Sequence, residues 1–229
     1  MKRLVTAVVS ILMLAVFAAT ASAALRVPQI AVLGGTLQGY LNGVGESINV
    51  LTDQQDVQRW ASTVSNNSTF TIQIELSGNA PANSYGLYNA SLAAPPLYQV
   101  FPGAATAGWF AVASFRTAPI RVVINLFDNN AVIQGTTTYL GADRNDFGFY
   151  LMNPNGTLYT QDARNPGGAA HSLTYAGTGV NAGNWWLCWE DSVAPVSDQD
   201  FDDGVLFCES MNPTPVSKTS WGELKKRFH

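Results

Sequence analysis

Basic charge is scarce in this chain, with 12 Lys and Arg against 16 Asp and Glu in 229 residues. Phosphate recognition needs clustered Lys and Arg, so the balance excludes nucleic acid as a natural partner. Histidine is scarcer still. Only His171 and the terminal His229 occur, so a Ser-His-Asp triad would have to rest on His171, and no G-x-S-x-G elbow is present. His171 reads as a hydrogen-bonded structural residue. HExxH, Walker and dinucleotide-binding patterns are all missing. Glu75 and Asp128 are carboxylates of the type used in glycoside hydrolysis, but no spacing rule nominates them. No catalytic residue is therefore assigned. Long apolar runs are also lacking beyond Ala19, which leaves no integral membrane segment once the N-terminus is removed.

That N-terminus has the form of a secretory signal. Lys2 and Arg3 precede an apolar stretch from Leu4 to Ala19, and Ala21-Ser22-Ala23 supplies the small-residue cleavage pattern. Residues 1–23 are read as a signal peptide, which implies export, to the periplasm, cell surface or medium. Cleavage after Ala23 leaves 206 residues and removes two basic ones, so the net charge moves from −4 to −6. Only Cys188 and Cys208 are available for a disulfide. An even pair in an oxidising compartment predicts one bridge closing the segment between them, in a hairpin with its tip near Asp198. The alternative is two buried thiols on neighbouring strands.

What is abundant is strand signal. Phe70 to Leu76 alternates, with Phe70, Ile72, Ile74 and Leu76 on one face and Thr71, Gln73 and Glu75 on the other. Pro119 to Phe127 repeats the period. Trp109–Phe115, Val132–Leu140, Phe147–Met152, Thr157–Thr160, Ser172–Tyr175, Trp185–Trp189 and Val205–Cys208 read as further strands. Turn chemistry at Gly78-Asn79, Pro95-Pro96, Asp128-Asn129-Asn130, Asn153-Pro154-Asn155-Gly156 and Asn165-Pro166-Gly167-Gly168 separates them. The pattern predicts an all-β fold, a two-sheet, jelly-roll-like β-sandwich occupying residues 24–212. Trp185-Trp186-Leu187-Cys188-Trp189 is apolar on both faces, as a central strand requires. Ser47 to Leu51 reads as a strand, and Thr52 to Gln55 carries a capping pattern for a short helix. Residues 213–229 form a tail in which Trp221, Leu224 and Phe228 mark a short amphipathic helix.

Six of the sixteen carboxylates lie between Glu190 and Asp203. Like charges so crowded are tolerated when they are solvated or when a cation neutralises them. Glu190, Asp191, Asp198, Asp200, Asp202 and Asp203 are the candidate metal ligands. Hard oxygen donors at alternating positions favour Ca2+ over a transition metal. Asp198, Asp200, Asp202 and Glu209 fall at positions 1, 3, 5 and 12 of an EF-hand loop, but Asp203 stands where the glycine is required, and the flanks are β-type. Phe201 is placed to pin the loop to the core, and Gly204 to free the backbone before the last strand.

Phe147-Gly148-Phe149-Tyr150-Leu151, Gly156-Thr157-Leu158-Tyr159-Thr160, Asp162-Ala163-Arg164-Asn165, His171-Ser172-Leu173, Trp189-Glu190-Asp191 and Asp198-Gln199-Asp200-Phe201-Asp202-Asp203 follow in that order. The series resembles the secreted bacterial domain-of-unknown-function family 4114. The resemblance covers about residues 140–210, with a weaker likeness over Phe70 to Tyr88. It implies an exported, calcium-associated β domain of extracellular or surface proteins, and no established activity. This chain departs from the family pattern in having Asp202 for the usual Asn, and Ala194-Pro195-Val196-Ser197 for the usual glycines. The functional expectation is a non-enzymatic adhesion, matrix-attachment or ligand-binding domain with a glycan or an extracellular protein as partner. The 25 aromatic residues, eleven Phe, eight Tyr and six Trp, supply stacking material for an alternative reading as a carbohydrate-binding module or carbohydrate-active enzyme.

Overall fold

The structure, a computed structural model, describes residues 23–32, 35–193 and 197–214. Residues 1–22 of the expected signal segment, and the expected tail helix, therefore lie outside the described residues. The described chain is a β-sandwich with one short helix, α1 (Leu37–Gly43), and thirteen strands. In chain order these are β1 (Trp60–Ser62), β2 (Asn67–Glu75), β3 (Ser84–Asn89), β4 (Leu97–Phe101), β5 (Phe110–Thr117), β6 (Ile120–Phe127), β7 (Ile133–Leu140), β8 (Phe147–Asn153), β9 (Gly156–Tyr159), β10 (Ser172–Ala176), β11 (Trp185–Trp189), β12 (Gly204–Glu209) and β13 (Met211–Pro213). One sheet has seven strands in the order β10-β11-β12-β2-β5-β6-β7. The other has six, ordered β13-β1-β8-β3-β4, with β9 also paired to β8. All the strand pairings are antiparallel.

Two large buried layers follow from this arrangement, beside a small third cluster of Tyr88, Ala90 and Tyr150. The main core fills the space between the sheets, where Trp60, Phe70, Phe147, Phe149, Leu187, Trp189 and Leu206 meet. Edge-to-face contacts of Phe149 with Trp60 and Phe70, at 5.2 and 5.1 Å between ring centroids, mark its centre. The second layer lies on the outer face of the seven-stranded sheet. There Leu37 and Leu41 of α1, with Ile48 and Val50, cover Leu173, Tyr175, Trp186, Cys188 and Val205. A strand between two such layers must be apolar on both faces, and every residue of β11 is buried.

The segment before β1 differs from its expected form. Ser47–Leu51 makes no strand, and Thr52–Gln55 makes no helix. The helix forms earlier, over Leu37–Gly43, where Leu37 and Leu41 are four residues apart and share one buried face. The buried carboxylate of Glu46 ties this segment down. It accepts hydrogen bonds from the Thr178 backbone and hydroxyl, Asn181 Nδ2 and Trp186 Nε1.

The expected disulfide is not present, and both thiols are free and buried. Cys188 pairs in register with Val205, and Cys208 with Trp185. The hairpin is thus offset by three residues from the register that would set the cysteines opposite each other. An odd offset sends them to opposite faces of the sheet. Cys188 lies in the outer layer and Cys208 in the inter-sheet core.

β2 departs from strict alternation for a related reason. Its register with β12 shifts between Val205 and Leu206, where Ile72 faces Leu206 and Ile74 faces Val205. Gln73 is the extra residue of a β-bulge. A bulge reverses the inward and outward assignment of everything after it. Ile74 therefore joins the outer layer while Phe70 and Ile72 stay in the inner core. Glu75, expected on the polar face, turns toward the sandwich interior.

Candidate metal centre

The acidic segment leaves β11 at Trp189 and re-enters the sheet at Gly204. Trp185, Leu187 and Trp189 face the inter-sheet core, and Trp186 and Cys188 face the outer layer. Continued alternation aims Glu190 outward and Asp191 inward. The adjacent carboxylates thus leave the strand toward opposite faces and have different hydrogen-bond partners.

On the outer side, one carboxylate oxygen from each of Glu190, Asp198 and Asp200 lies within 4.8 Å of the others. Glu190 is only 1% exposed. Its Oε1 meets the Ser192 N–H at a long 3.4 Å, and its Oε2 is buried without a hydrogen-bond partner. A buried carboxylate oxygen with no donor loses its hydration and receives nothing in return. His171 is spoken for locally: its Nδ1 lies 3.2 Å from the Glu190 carbonyl, and its own carbonyl accepts the Glu190 N–H.

The loop itself is held in an uncommon conformation. Gln199 and Phe201 have φ of 59° and 56°, a left-handed geometry costly for residues with a β-carbon. Phe201, 1% exposed, anchors it in the outer layer. The carboxylate of Asp202 accepts both the backbone N–H and the hydroxyl of Thr36, just ahead of α1. Gly35 packs directly on the loop. A β-carbon there would stand 2.8 Å from Asp202 Oδ2 and 2.9 Å from the Asp200 β-carbon, and its φ of +78° also suits glycine.

The remaining carboxylates are hydrogen-bonded on the inner side. Asp191 accepts from Ser77 Oγ, Asn83 Nδ2 at 2.8 Å, Asn79 Nδ2 at 3.3 Å and Ser192 Oγ at 3.1 Å. Asn153 donates to its carbonyl. Asp203 Oδ2 accepts the Asp191 N–H at 2.9 Å. The six sequence-nominated residues are thus distributed. Glu190, Asp198 and Asp200 converge, Asp202 is bound to Thr36, Asp191 belongs to the inner network, and Asp203 stands between the two groups, accepting the Asp191 N–H and lying close enough to Glu190 to raise it.

Among the described residues, no basic side chain pairs with these carboxylates. The two ion pairs among the described residues, Arg26–Asp162 and Arg59–Asp146, lie elsewhere. The consequences appear in the acidities. Burial first, then Asp203 and Asp198, push Glu190 from its ordinary 4.5 to about 7. Burial and Asp191 do the same to Glu75, also to about 7. Asp200 and Asp203 rise to about 6, burial leading in each case. Cation binding is the direct way to reverse such a penalty.

Glu209 lies in strand β12, so the segment is not an EF-hand, which needs a helix there. The sequence reading missed Gly35, Thr36, Ser77, Asn79 and Asn83. Gly78-Asn79 was visible as a turn, but nothing local tied it to an aspartate over a hundred residues away. No family model and no curated protein matches this chain. The likeness to family 4114 therefore rests on its quoted residues alone.

Proposed function

We propose that this is an exported, non-enzymatic β-sandwich domain carrying a structural Ca2+ site, and that it serves adhesion, matrix attachment or ligand binding. One observation carries the metal reading. Glu190 presents a sealed carboxylate oxygen with no hydrogen-bond partner beside two further carboxylates. All the donors are oxygens, which suits Ca2+ and not a soft or nitrogen-seeking metal. Glu190, Asp198 and Asp200 would hold the ion. Asp202 and Asp203 would hold the loop to Thr36 and to the end of β11. An ion there links the end of β11 to the loop preceding β12, which explains how a left-handed, anionic loop stays folded.

Thermal denaturation in Ca2+ and in Mg2+ tests this. Extracellular modules bind Ca2+ with Kd of about 10⁻⁴–10⁻³ M. At ten times Kd the linkage supplies about 1.4 kcal/mol, which raises Tm by roughly 3–6 °C in a domain of this size. A rise no larger in Ca2+ than in Mg2+ sinks the calcium reading.

A second reading, carbohydrate binding, has one feature in its favour. A cleft of about 470 Å³ lined by Gly35, Thr36, Gly39, Tyr40, Ile74 and Leu76 adjoins the acidic loop. It offers an aromatic residue and apolar surface beside an ion-binding loop, the combination a sugar ring uses. A glycan array in Ca2+ and in chelator separates the readings. Calcium-dependent glycan retention favours the binder, and retention nowhere favours a purely structural role.

A further inference from the structure

The inner side of the same sheet end holds a second group of oxygens that the outer loop does not account for. The bulge at Gln73 reverses β2, so Glu75 points between the sheets and pairs in register with Gly204. One oxygen of Glu75 is sealed from solvent without a hydrogen-bond partner. Asn83 is completely buried. Its Nδ2 donates to Asp191, and its Oδ1 has no partner. Tyr85 on β3 is 1% exposed, and its hydroxyl also has none.

These atoms are brought together by contacts across the sandwich. A β-carbon on Gly204 would stand 2.1 Å from Tyr85 Oη, so the phenol occupies the space that a side chain at position 204 would fill. Gly204 is joined to Asp203 and faces Glu75. Asp191 is tied to Asn83. Burial, then Glu75, Asp191 and Asp203, raise the Tyr85 phenol well above its ordinary range, against a smaller opposing effect of the neighbouring Asn83 side chain, as expected when the hydroxyl sits near carboxylates. Tyr85 Oη thus lies against the Gly204 backbone that Glu75 faces, Asn83 is bonded to Asp191, and none of the ion pairs among the described residues involves these groups.

We propose that Glu75, Asn83 Oδ1 and Tyr85 Oη, with Asp203 alongside, form a second cation position, which takes a hard divalent ion such as Ca2+ on the inner face of the sheet. Buried polar atoms require partners. Water would satisfy lone pairs here but not the accumulated negative charge, whereas an oxygen-liganded cation does both. The bulge is then a functional device. It spends one residue of β2 to turn a carboxylate from solvent to the interior, where the ladder would otherwise place Ile74. The ion would fasten β2 and the start of β12, in the seven-stranded sheet, to β3, in the six-stranded one. The outer position fastens only the loop and the β11 end.

The proposal borrows its probe ion from the calcium reading but shares none of the outer ligands. Equilibrium dialysis of the full-length mature chain against Ca2+ alone gives the count. Two ions are expected per chain, falling to one in Glu75→Gln and to one in Glu190→Gln. A single ion in the unsubstituted protein, or two in Glu75→Gln, overturns the inner position. If that single ion disappears in Glu190→Gln and persists in Glu75→Gln, the outer reading stands without the inner one. Two ions retained in Glu190→Gln would remove the outer reading and leave the inner one intact. Should Glu75→Gln fail to fold, Tyr85→Phe keeps the buried ring and loses only the hydroxyl. It is expected to weaken one of the two ions at least tenfold, and affinities unchanged from the unsubstituted protein overturn the proposal.

Discussion

Replacing Glu190 by Gln should stabilise the metal-free protein at pH 8 and remove the outer ion's share of its response to Ca2+. The carboxylate is 1% exposed, with one oxygen unpartnered, and its pKa stands at about 7 against an ordinary 4.5. A pKa raised on folding means the native state binds the proton more tightly than the unfolded state. Its contribution is favourable below about pH 4 and is lost as pH rises through 7. At pH 8 a shift of two to three units, at about 1.4 kcal/mol per unit, sets the burden of the charge near 3 kcal/mol. Glutamine has the same shape, no charge, and an oxygen that can still accept the Ser192 N–H. In chelator at pH 8, Glu190→Gln should therefore raise Tm by roughly 6–12 °C, at 2–4 °C per kcal/mol for a domain of this size. At pH 4 the two proteins should melt together. In millimolar Ca2+ the order should narrow or invert, because only the carboxylate gains from the ion. Thermal melts at both pH values, each with chelator and with Ca2+, supply the comparison. A Glu190→Gln protein less stable than its parent in chelator at pH 8 would refute the reasoning, since the charge would then have a compensating partner.

Gly35→Ala should destabilise by about 1–2 kcal/mol, from a left-handed φ, and also weaken Ca2+ affinity, because the new methyl displaces Asp200 and Asp202. Unchanged Tm and titration together would contradict the packing described. Mass spectrometry after alkylation in denaturant without reductant should find two modified cysteines, since Cys188 and Cys208 are free on opposite faces. Adducts that appear only after reduction would reinstate the bridge. Burial pushes Glu46 up, but its hydrogen bonds to Thr178, Asn181 and Trp186 outweigh that and hold it below 4.5. Its contribution is thus present above about pH 4.5 and lost as pH falls through its folded value. Glu46→Gln should cost about 1–3 kcal/mol at pH 7 in urea denaturation, and the difference should shrink toward pH 3.

Strands whose pattern is local were readable from the chain. β6, β7, β8 and β11 fall within a residue of their expected bounds because period and flanking turns are properties of a few neighbours. β3 and β4 were missed for the opposite reason. Ser84–Asn89 is buried at every position, so it lacks alternation, and its two neighbours in the sheet come from β4 and β8. Phe201 shows as a loop anchor because one large apolar residue among aspartates has few alternatives, and it is buried as expected. The disulfide failed on register, which two cysteines and a spacing do not determine. A shift of three residues in the hairpin was enough to put the thiols on different sides of the sheet.

Crowding of six carboxylates in fourteen residues looks like one site only when the chain is viewed as a line. A strand end sorts its side chains by parity, so Glu190 and Asp191 must part company however close they are in sequence. The same sorting makes the bulge in β2 consequential. Without Gln73 as the extra residue, Glu75 would stay in solvent, and Tyr85 and Asn83 would face fewer charges. With it, the sheet end carries anionic groups on both faces, each next to polar atoms that have no donor. Solvation alone does not account for such an arrangement, because the oxygens that most need compensation, on Glu190, Glu75, Asn83 and Tyr85, are the ones water does not reach from outside. The charge there is built into the packing of the sandwich, so any neutralisation of it, by a proton or by a cation, is coupled to folding.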